Sequence, residues 1–555
     1  MIRRQWNITA GIRAVMALLL VAFTLGIPMA HAADWNYRVR PNDNIWDLSR
    51  RYMKASVPWQ KLQDYNQITD PYHIPPGTTL RIPIEWLRVQ PAKARVVAVA
   101  GNATVQLPGE TTAVPVQPGT MLGYGSRLAT DADASLSLEF ADGSRVLMQH
   151  DSTLELDRMS AYGSTGMVDT RLRLQHGRVS STVTPMTGAA AHFSVETPGI
   201  VSSVRGTNFR VAADADTQRS QTEVLTGRVD VAGERRRTRL DKGRGIAVEK
   251  GAQPGRSSPL LQAPELACPS APVRQLPYQL DWTALDGARH YRVQVAPSEK
   301  FEVLSLDRLV DDNHITLPDL PDGDYGIRVR GVDENLLEGT DAICVILIDG
   351  HPQPPLIREP QAGNKVRDTR PRFRWTSSSE AVSYTWQLAS DEQFTQLLGN
   401  QSAIRGDNAR APQTLPYGRY YWRVASHDRD GKQGPFTRAI PFDLVAEPPA
   451  PELGAPTRTS DKLKLGWEAG TPGQRYHVQM SRDPDFAQTL IDEVVDQPTL
   501  EIDKPKSGKW YVRVQVIESD GYEGAWGPVQ KLKLPCIACR ITAAGGGAAL
   551  LWLLL

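Results

Sequence analysis

Four cysteines and ten histidines are the side chains in this 555-residue chain that could support nucleophilic or metal chemistry. Their spacing argues against catalysis. Metallopeptidases need H-x-H or H-E-x-x-H and serine hydrolases need G-x-S-x-G, and none of these occurs. A cysteine nucleophile belongs at a helix start, whereas Cys268, Cys344, Cys536 and Cys539 all sit at the edges of β-rich segments. Cys536 and Cys539 form a C-x-x-C without a β-α-β pattern around it and without the second pair that zinc needs, so a structural disulfide is the expectation. Cys268 and Cys344 bracket one β-rich segment. In an oxidising compartment their bridge would stabilise by about 4 kcal/mol on the chain-entropy model. Carboxylates such as Asp142 and Glu155 are ordinary decoration of β surfaces. The chemistry expected is therefore binding, with no metal and no cofactor. A formal charge of +1 gives no bulk attraction for nucleic acid.

Binding side chains need elements to position them. Arg3, Arg4 and Arg13 precede an apolar run from Ala14 to Ile27 and then Ala30-His31-Ala32, which predicts a secretory signal peptide over residues 1–32. From Trp35 to Trp86 the pattern predicts β-α-α-β: a strand Tyr37–Arg40, a turn Asn42-Asp43-Asn44 that caps a helix Ile45–Tyr52, a helix Trp59–Asn66, and a strand Thr79–Pro83. Beyond it, alternating apolar pairs punctuated by glycine predict an all-β domain over 93–250. Ser135 to Phe140 leads there into Asp142-Gly143, a strong hairpin signal. At its centre, Phe193/Val195 and Phe209/Val211 flank Thr197-Pro198-Gly199 and the turn Val204-Arg205-Gly206-Thr207. The cluster Arg235-Arg236-Arg237 reads as a solvated hairpin tip.

After a Pro- and Ser-containing linker, 251–264, the chain repeats. Trp282, Trp375 and Trp467 recur with Tyr291, Tyr384 and Tyr476 and with Phe301, Phe394 and Phe486, which predicts three complete domains: 264–350, 355–445 and 449–535. Pro-rich joints at 351–360 and 447–456 would act as semi-rigid spacers. The tail 541–555, within 536–555, is uncharged and ends in five leucines and a tryptophan. As a helix of about 15 residues it would reach about 22 Å, short of a hydrocarbon core of about 30 Å, so a short membrane or sorting tail is one reading and a buried or disordered end the other.

The first module resembles the LysM domain. Its pattern is matched at Tyr37, Val39, Asp43, Ile45, Leu48, Trp59, Leu62, Asn66, Ile74, Pro76, Gly77, Leu80, Ile82 and Pro83. It departs at Asn42, where glycine is usual; asparagine tolerates positive φ. LysM domains bind N-acetylglucosamine-containing glycans, chiefly peptidoglycan. Carried onto this chain, over 34–86, the resemblance implies a groove lined by Asp43, Asn44 and Ile45 on one side and Asp70, Pro71, Tyr72, His73 and Ile74 on the other.

The segment from Phe193 to Val211, with Ser135 to Ser144 before it, resembles the FecR family domain, whose motif is F-x-V-x-T-P-x-x-V-x-x-V-R-G-T-x-F-x-V. That family is named for regulators that pass an outer-membrane signal to a sigma factor through a cytoplasmic segment and a transmembrane helix. The stretch ahead of the β domain reads here as a signal peptide and the β-α-α-β module instead, so the expectation from the resemblance is the fold and an extracytoplasmic location rather than direct sigma-factor control. Val204, Arg205, Gly206 and Thr207 are then either a partner-binding point or a structural turn. The three repeats resemble fibronectin type III domains, each a β-sandwich that acts as a spacer or as a docking site.

The expectation is a mainly β, multidomain, non-enzymatic protein of the periplasm or cell envelope: a small βααβ module, an all-β domain and three tandem sandwiches. It would bind peptidoglycan, and its FecR-like domain would sense or scaffold, with an inner-membrane signalling protein as a possible partner. A structural or adhesive surface protein is the alternative, and an accessory of a wall hydrolase a further one.

Overall fold

The structure is a computed structural model that describes residues 33–535; the predicted signal peptide, Cys536, Cys539 and the apolar tail lie outside the described residues. It divides into two units, Met1–Gly350 and His351–Leu555. Both are mainly β, and the two α-helices among the described residues belong to the first module.

In the first unit, strand Asp34–Arg38 pairs antiparallel with Thr79–Pro83, and helices Ile45–Tyr52 and Trp59–Tyr65 lie between them in sequence. The β-α-α-β order is as expected, although the first strand starts and ends earlier than the Tyr37–Arg40 alternation suggests. Asn42 takes φ +69°, the left-handed turn that its substitution for glycine had to allow. Asn44 caps the first helix, its Oδ1 accepting from the Asp47 amide at 2.9 Å. Ile45, Leu48, Tyr52, Leu62, Leu80 and Ile82 fill the module's core. That core does not stop at the module's edge, because Leu87, Met167 and Ala191 belong to the same buried cluster.

The following strands, from Val89–Pro91 to Ser258–Pro259, close into a barrel of two sheets. The 15-residue strand Val168–Thr182 takes part in both. Its first part pairs with Ser152–Tyr162, and from Gly177 onward it pairs with Asn208–Ala213. The crossover needs glycine: Gly177 sits at φ +92°, and a Cβ there would lie 2.2 Å from Ser152 Oγ. The expected hairpin is present, Ser135–Glu139 pairing with Arg145–Met148, with the Ser144 amide donating to Asp142 Oδ1 at 3.0 Å. Phe140, Phe193 and Phe209 stack edge to face through the barrel interior, with ring centroids 5.8 and 6.4 Å apart.

The Pro- and Ser-containing linker is held at its C-terminal part. Ser258–Pro259 pairs with Arg244–Glu249, Leu260 is buried, and the Leu261 carbonyl accepts from the Thr340 amide at 2.9 Å. It leads into the first sandwich, where Tyr278–Asp281 pairs with His314–Leu317 opposite a four-stranded sheet ordered Leu306–Val310, His290–Ala296, Gly323–Val332, Ala342–Ile348. Cys268 and Cys344 are joined by a disulfide.

The second unit contains two further sandwiches. One sets Ile357–Glu359, Arg372–Trp375 and Asn408–Arg410 against a larger sheet centred on Ser383–Ala389 and Gly418–His427. The other sets Thr457–Arg458, Lys462–Gly466 and Thr499–Asp503 against a sheet centred on Arg475–Ser481 and Gly508–Ile517. Within this unit Arg367 reaches from one sandwich to the other, 2.9 Å from Asp520 and 3.9 Å above the Tyr522 ring.

The repeat carries a device that aromatic spacing alone does not show. Phe301, Phe394 and Phe486 all take positive φ, at 50°, 57° and 56°. Each ring lies under a guanidinium, of Arg328, Arg423 and Arg513, at 4.4, 3.9 and 4.2 Å. Each of those arginines donates through Nε to a strand glutamine, Gln294, Gln387 or Gln479, at 2.6, 2.8 and 2.9 Å. Each sandwich thus carries the same Gln-Arg-Phe clamp.

Candidate functional site

The two loops of the first module meet at one backbone bond, the Ile45 amide donating to the Pro71 carbonyl at 3.2 Å. Most of the polar side chains around it are occupied in shaping the loops. Asp43 Oδ2 accepts from the Tyr37 hydroxyl at 2.6 Å and from the Arg40 amide at 2.7 Å. Burial, with the Asp43 carboxylate beside it, pushes the Tyr37 phenol up to about 12. Asn44 is the helix cap, and its Nδ2 donates to Asp47 Oδ2 at 2.7 Å. Asp70 accepts from the Tyr72 amide at 2.9 Å and lies 3.3 Å from His73 Nδ1; the Tyr72 amide, then the neighbouring His73, hold its carboxyl below the usual range. Ile45 and Ile74 are buried. Of the eight residues expected to line a groove, Asp70 at 55%, Tyr72 at 74% and His73 at 87% exposure are turned to solvent, and of these the Tyr72 ring is the apolar face. Trp46, 52% exposed in the first turn of the helix, escaped the sequence reading; an aromatic two residues past the cap, off the buried stripe, was its signal.

The motif turn is a structural clasp. Arg205 donates through Nη2 to the Gly188 carbonyl at 2.5 Å, its own carbonyl accepts from the Met186 amide at 3.3 Å, and Thr207 takes the Val183 amide at 3.0 Å. Gly206 has φ +117°, and a Cβ there would lie 2.6 Å from the Pro185 Cα. Val204 is buried. The turn therefore pins the strap of residues 183–191. Met186, Ala190 and Ala191 of that strap pack into the core of the first module. The barrel's central motif thus holds the barrel to its N-terminal neighbour.

On the barrel's other flank, a buried charge cluster joins it to the first sandwich. Sequence reasoning missed it, because arginine and glutamate on alternating strands read as solvent-facing. Arg210 and Arg330 are 1% and 0% exposed. Arg210 lies 3.0 Å from Glu223 and 3.1 Å from Asp341. Arg330 lies 2.5 Å from Glu338 and 3.0 Å from Asp341. Burial alone would raise the Glu338 carboxyl, but Arg178, Arg330, Arg292 and Arg210 hold it well below the usual carboxylate range. Arg328, at the edge of the same cluster, is pushed down to about 10 by burial and by Arg330.

Asp142 and Glu155 form no shared site: the first accepts from Ser144, and the second lies 3.7 Å from Arg127. No described helix is long and apolar enough to cross a membrane.

Comparison with known proteins agrees with the two modules. Residues 37–83 match the LysM domain model, and residues 126–230 match the model described as FecR protein. No curated protein sequence matches the chain. Among solved structures, the chain is similar to a candidate anti-sigma factor from Parabacteroides distasonis, at 18% identity over 24% of this chain and 59% of that one, with TM-score 0.21. The chain therefore spans less than two thirds of that protein's length. It is also similar to the FN1-FN3 domains of chicken CNTN1, at 14% identity over 50% of this chain and 99% of that one, with TM-score 0.26. The fibronectin(III)-like modules of Clostridium thermocellum CbhA match at 15% identity over 32% of this chain and 92% of theirs, with TM-score 0.24. The chain thus carries a LysM domain at residues 37–83 and a FecR domain at residues 126–230.

Proposed function

We propose that this is a non-catalytic cell-envelope protein that holds peptidoglycan through its LysM domain and uses the FecR barrel as the rigid scaffold that presents the bound position to a signalling partner. LysM domains bind N-acetylglucosamine-containing glycans, and the exposed Tyr72 and His73 beside the Ile45–Pro71 junction suit such a ligand. An N-acetyl methyl and a sugar face pack on an aromatic ring, and hydroxyls exchange hydrogen bonds with imidazole and loop backbone. The observation that carries the scaffold role is the continuity of the LysM core into the barrel through Leu87, Met167 and Ala191. A module hinged on a flexible linker would report nothing of its load; one sharing a core with its neighbour transmits its position.

Co-sedimentation with purified peptidoglycan sacculi tests the binding half. Removing residues 34–86 would uncover Leu87, Met167 and Ala191, so the informative variant is the exposed pair Tyr72→Ala/His73→Ala. The protein is expected in the pellet and the variant in the supernatant. Equal pelleting of both would remove the glycan reading from these loops.

A further inference from the structure

A groove of about 720 Å³ opens on the outer face of the barrel sheet, along strands Val201–Val204, Arg228–Ala232 and Arg237–Asp241, with the strap residues Ala189 and Ala191 as one wall. Its floor is small and apolar, and its rim carries Arg205, Arg228, Arg237 and Arg239 against a single carboxylate, Asp230. Strand register places these groups in rows. Val201 stands opposite Ala232 and Ala232 opposite Arg237; Ser203 stands opposite Asp230 and Asp230 opposite Arg239.

The positive charge is incompletely answered. Arg239 lies 2.9 Å from Asp230, and Arg228 lies 3.3 Å from Asp241 in a pair that is mostly solvent-exposed and so worth little. Arg205 faces a carbonyl, and the Arg237 guanidinium has no hydrogen-bond or ion-pair partner among the described residues. His192, also in the lining, keeps a buried Nδ1 without a hydrogen-bond partner. Burial lowers its proton affinity and Arg171 and Arg205 lower it further, against the nearby Asp169.

We infer that this groove binds an extended acidic peptide. Arg237 and Arg239 are two residues apart on one strand and so project from the same face about 7 Å apart. Carboxylates at alternate positions of an extended peptide repeat at the same interval. Guanidinium forks match carboxylates two bonds at a time, and the apolar floor receives the methylene stems of glutamate. A single-stranded nucleic acid would instead want aromatic platforms for its bases, and the lining has none beyond the His192 imidazole. The inference goes beyond the glycan reading and does not depend on it: the groove belongs to the barrel, and the glycan loops to the LysM domain.

The test is fluorescence anisotropy of a labelled (Glu-Ala)5 peptide with the full chain at about 0.15 M ionic strength, where charges more than about 8 Å apart are largely screened. R237E/R239E is expected to weaken binding by about tenfold or more. R235E/R236E makes the same charge change at the adjoining exposed residues outside the groove lining, and is expected to weaken binding clearly less than R237E/R239E does. Saturating peptide is also expected to raise the NMR titration midpoint of His192, since a guest carboxylate answers the field of Arg171 and Arg205. Equal loss in both double variants would reduce the groove to a diffuse basic surface and overturn the inference. So would displacement of the peptide by short polyphosphate with the same dependence on Arg237 and Arg239, which would make the site a phosphate site.

Discussion

At the scale of single residues, two positions carry the most weight. Gly177 is where one strand passes from sheet to sheet, and alanine there would meet Ser152 backbone and side chain at 2.4 and 2.2 Å. Gly177→Ala is expected to destabilise the barrel by about 1–3 kcal/mol or more from conformation alone, with the clash adding to it, read as a lower urea midpoint at unchanged slope. Glu338 is the other. It is buried among four guanidiniums, so removing it, as in Glu338→Met, is expected to cost about 3–5 kcal/mol through the positive charge left uncompensated in the interior. Its carboxyl is depressed in the folded chain, so its contribution is complete above the ordinary carboxyl value of 4.5 and is lost as pH falls through the folded value. The acid limb of stability below pH 4.5 is therefore expected to flatten in Glu338→Gln, measured by urea unfolding at a series of pH values. An unchanged acid limb would show that other carboxylates set it.

At the scale of elements, local signals were legible and long-range ones were not. The β-α-α-β order followed from apolar spacing and the Asn44 cap, and the Ser135–Met148 hairpin from Asp142-Gly143, because residues within one or two turns of chain determine those features. The repeat was legible from Trp282, Trp375 and Trp467, but the guanidinium over each Phe was not, because the ring and its arginine come from different strands. The Arg210–Glu338 cluster joins groups more than a hundred residues apart on strands whose alternation reads as polar-outward; nothing local marks them as buried. Composition marked 251–264 as a linker, but it did not show that Leu260 and Leu261 pin the segment's end between barrel and sandwich. The eight residues expected at the groove came from resemblance, which specifies loops but not which side chains the loops consume in their own hydrogen bonds. The strap supplies the prediction at this scale. Gly206→Ala would press on Pro185, so hydrogen exchange is expected to accelerate over residues 183–191 while Phe193 and Phe209 stay protected in the core.

At the scale of the molecule, the first unit is a fused assembly: the LysM core runs into the barrel, the motif turn clasps the strap between them, and buried charges join the barrel to the first sandwich. A spacer role fits that sandwich poorly, since it gives up solvent around Arg330 and Glu338 to meet the barrel. The central claim is that glycan engages the two LysM loops of this assembly. The most direct measurement is hydrogen–deuterium exchange of the full chain with and without a soluble N-acetylglucosamine oligomer. Added protection over residues 42–46 and 70–74 is the predicted result. Protection absent there, or found only on the barrel or the sandwiches, would contradict the account.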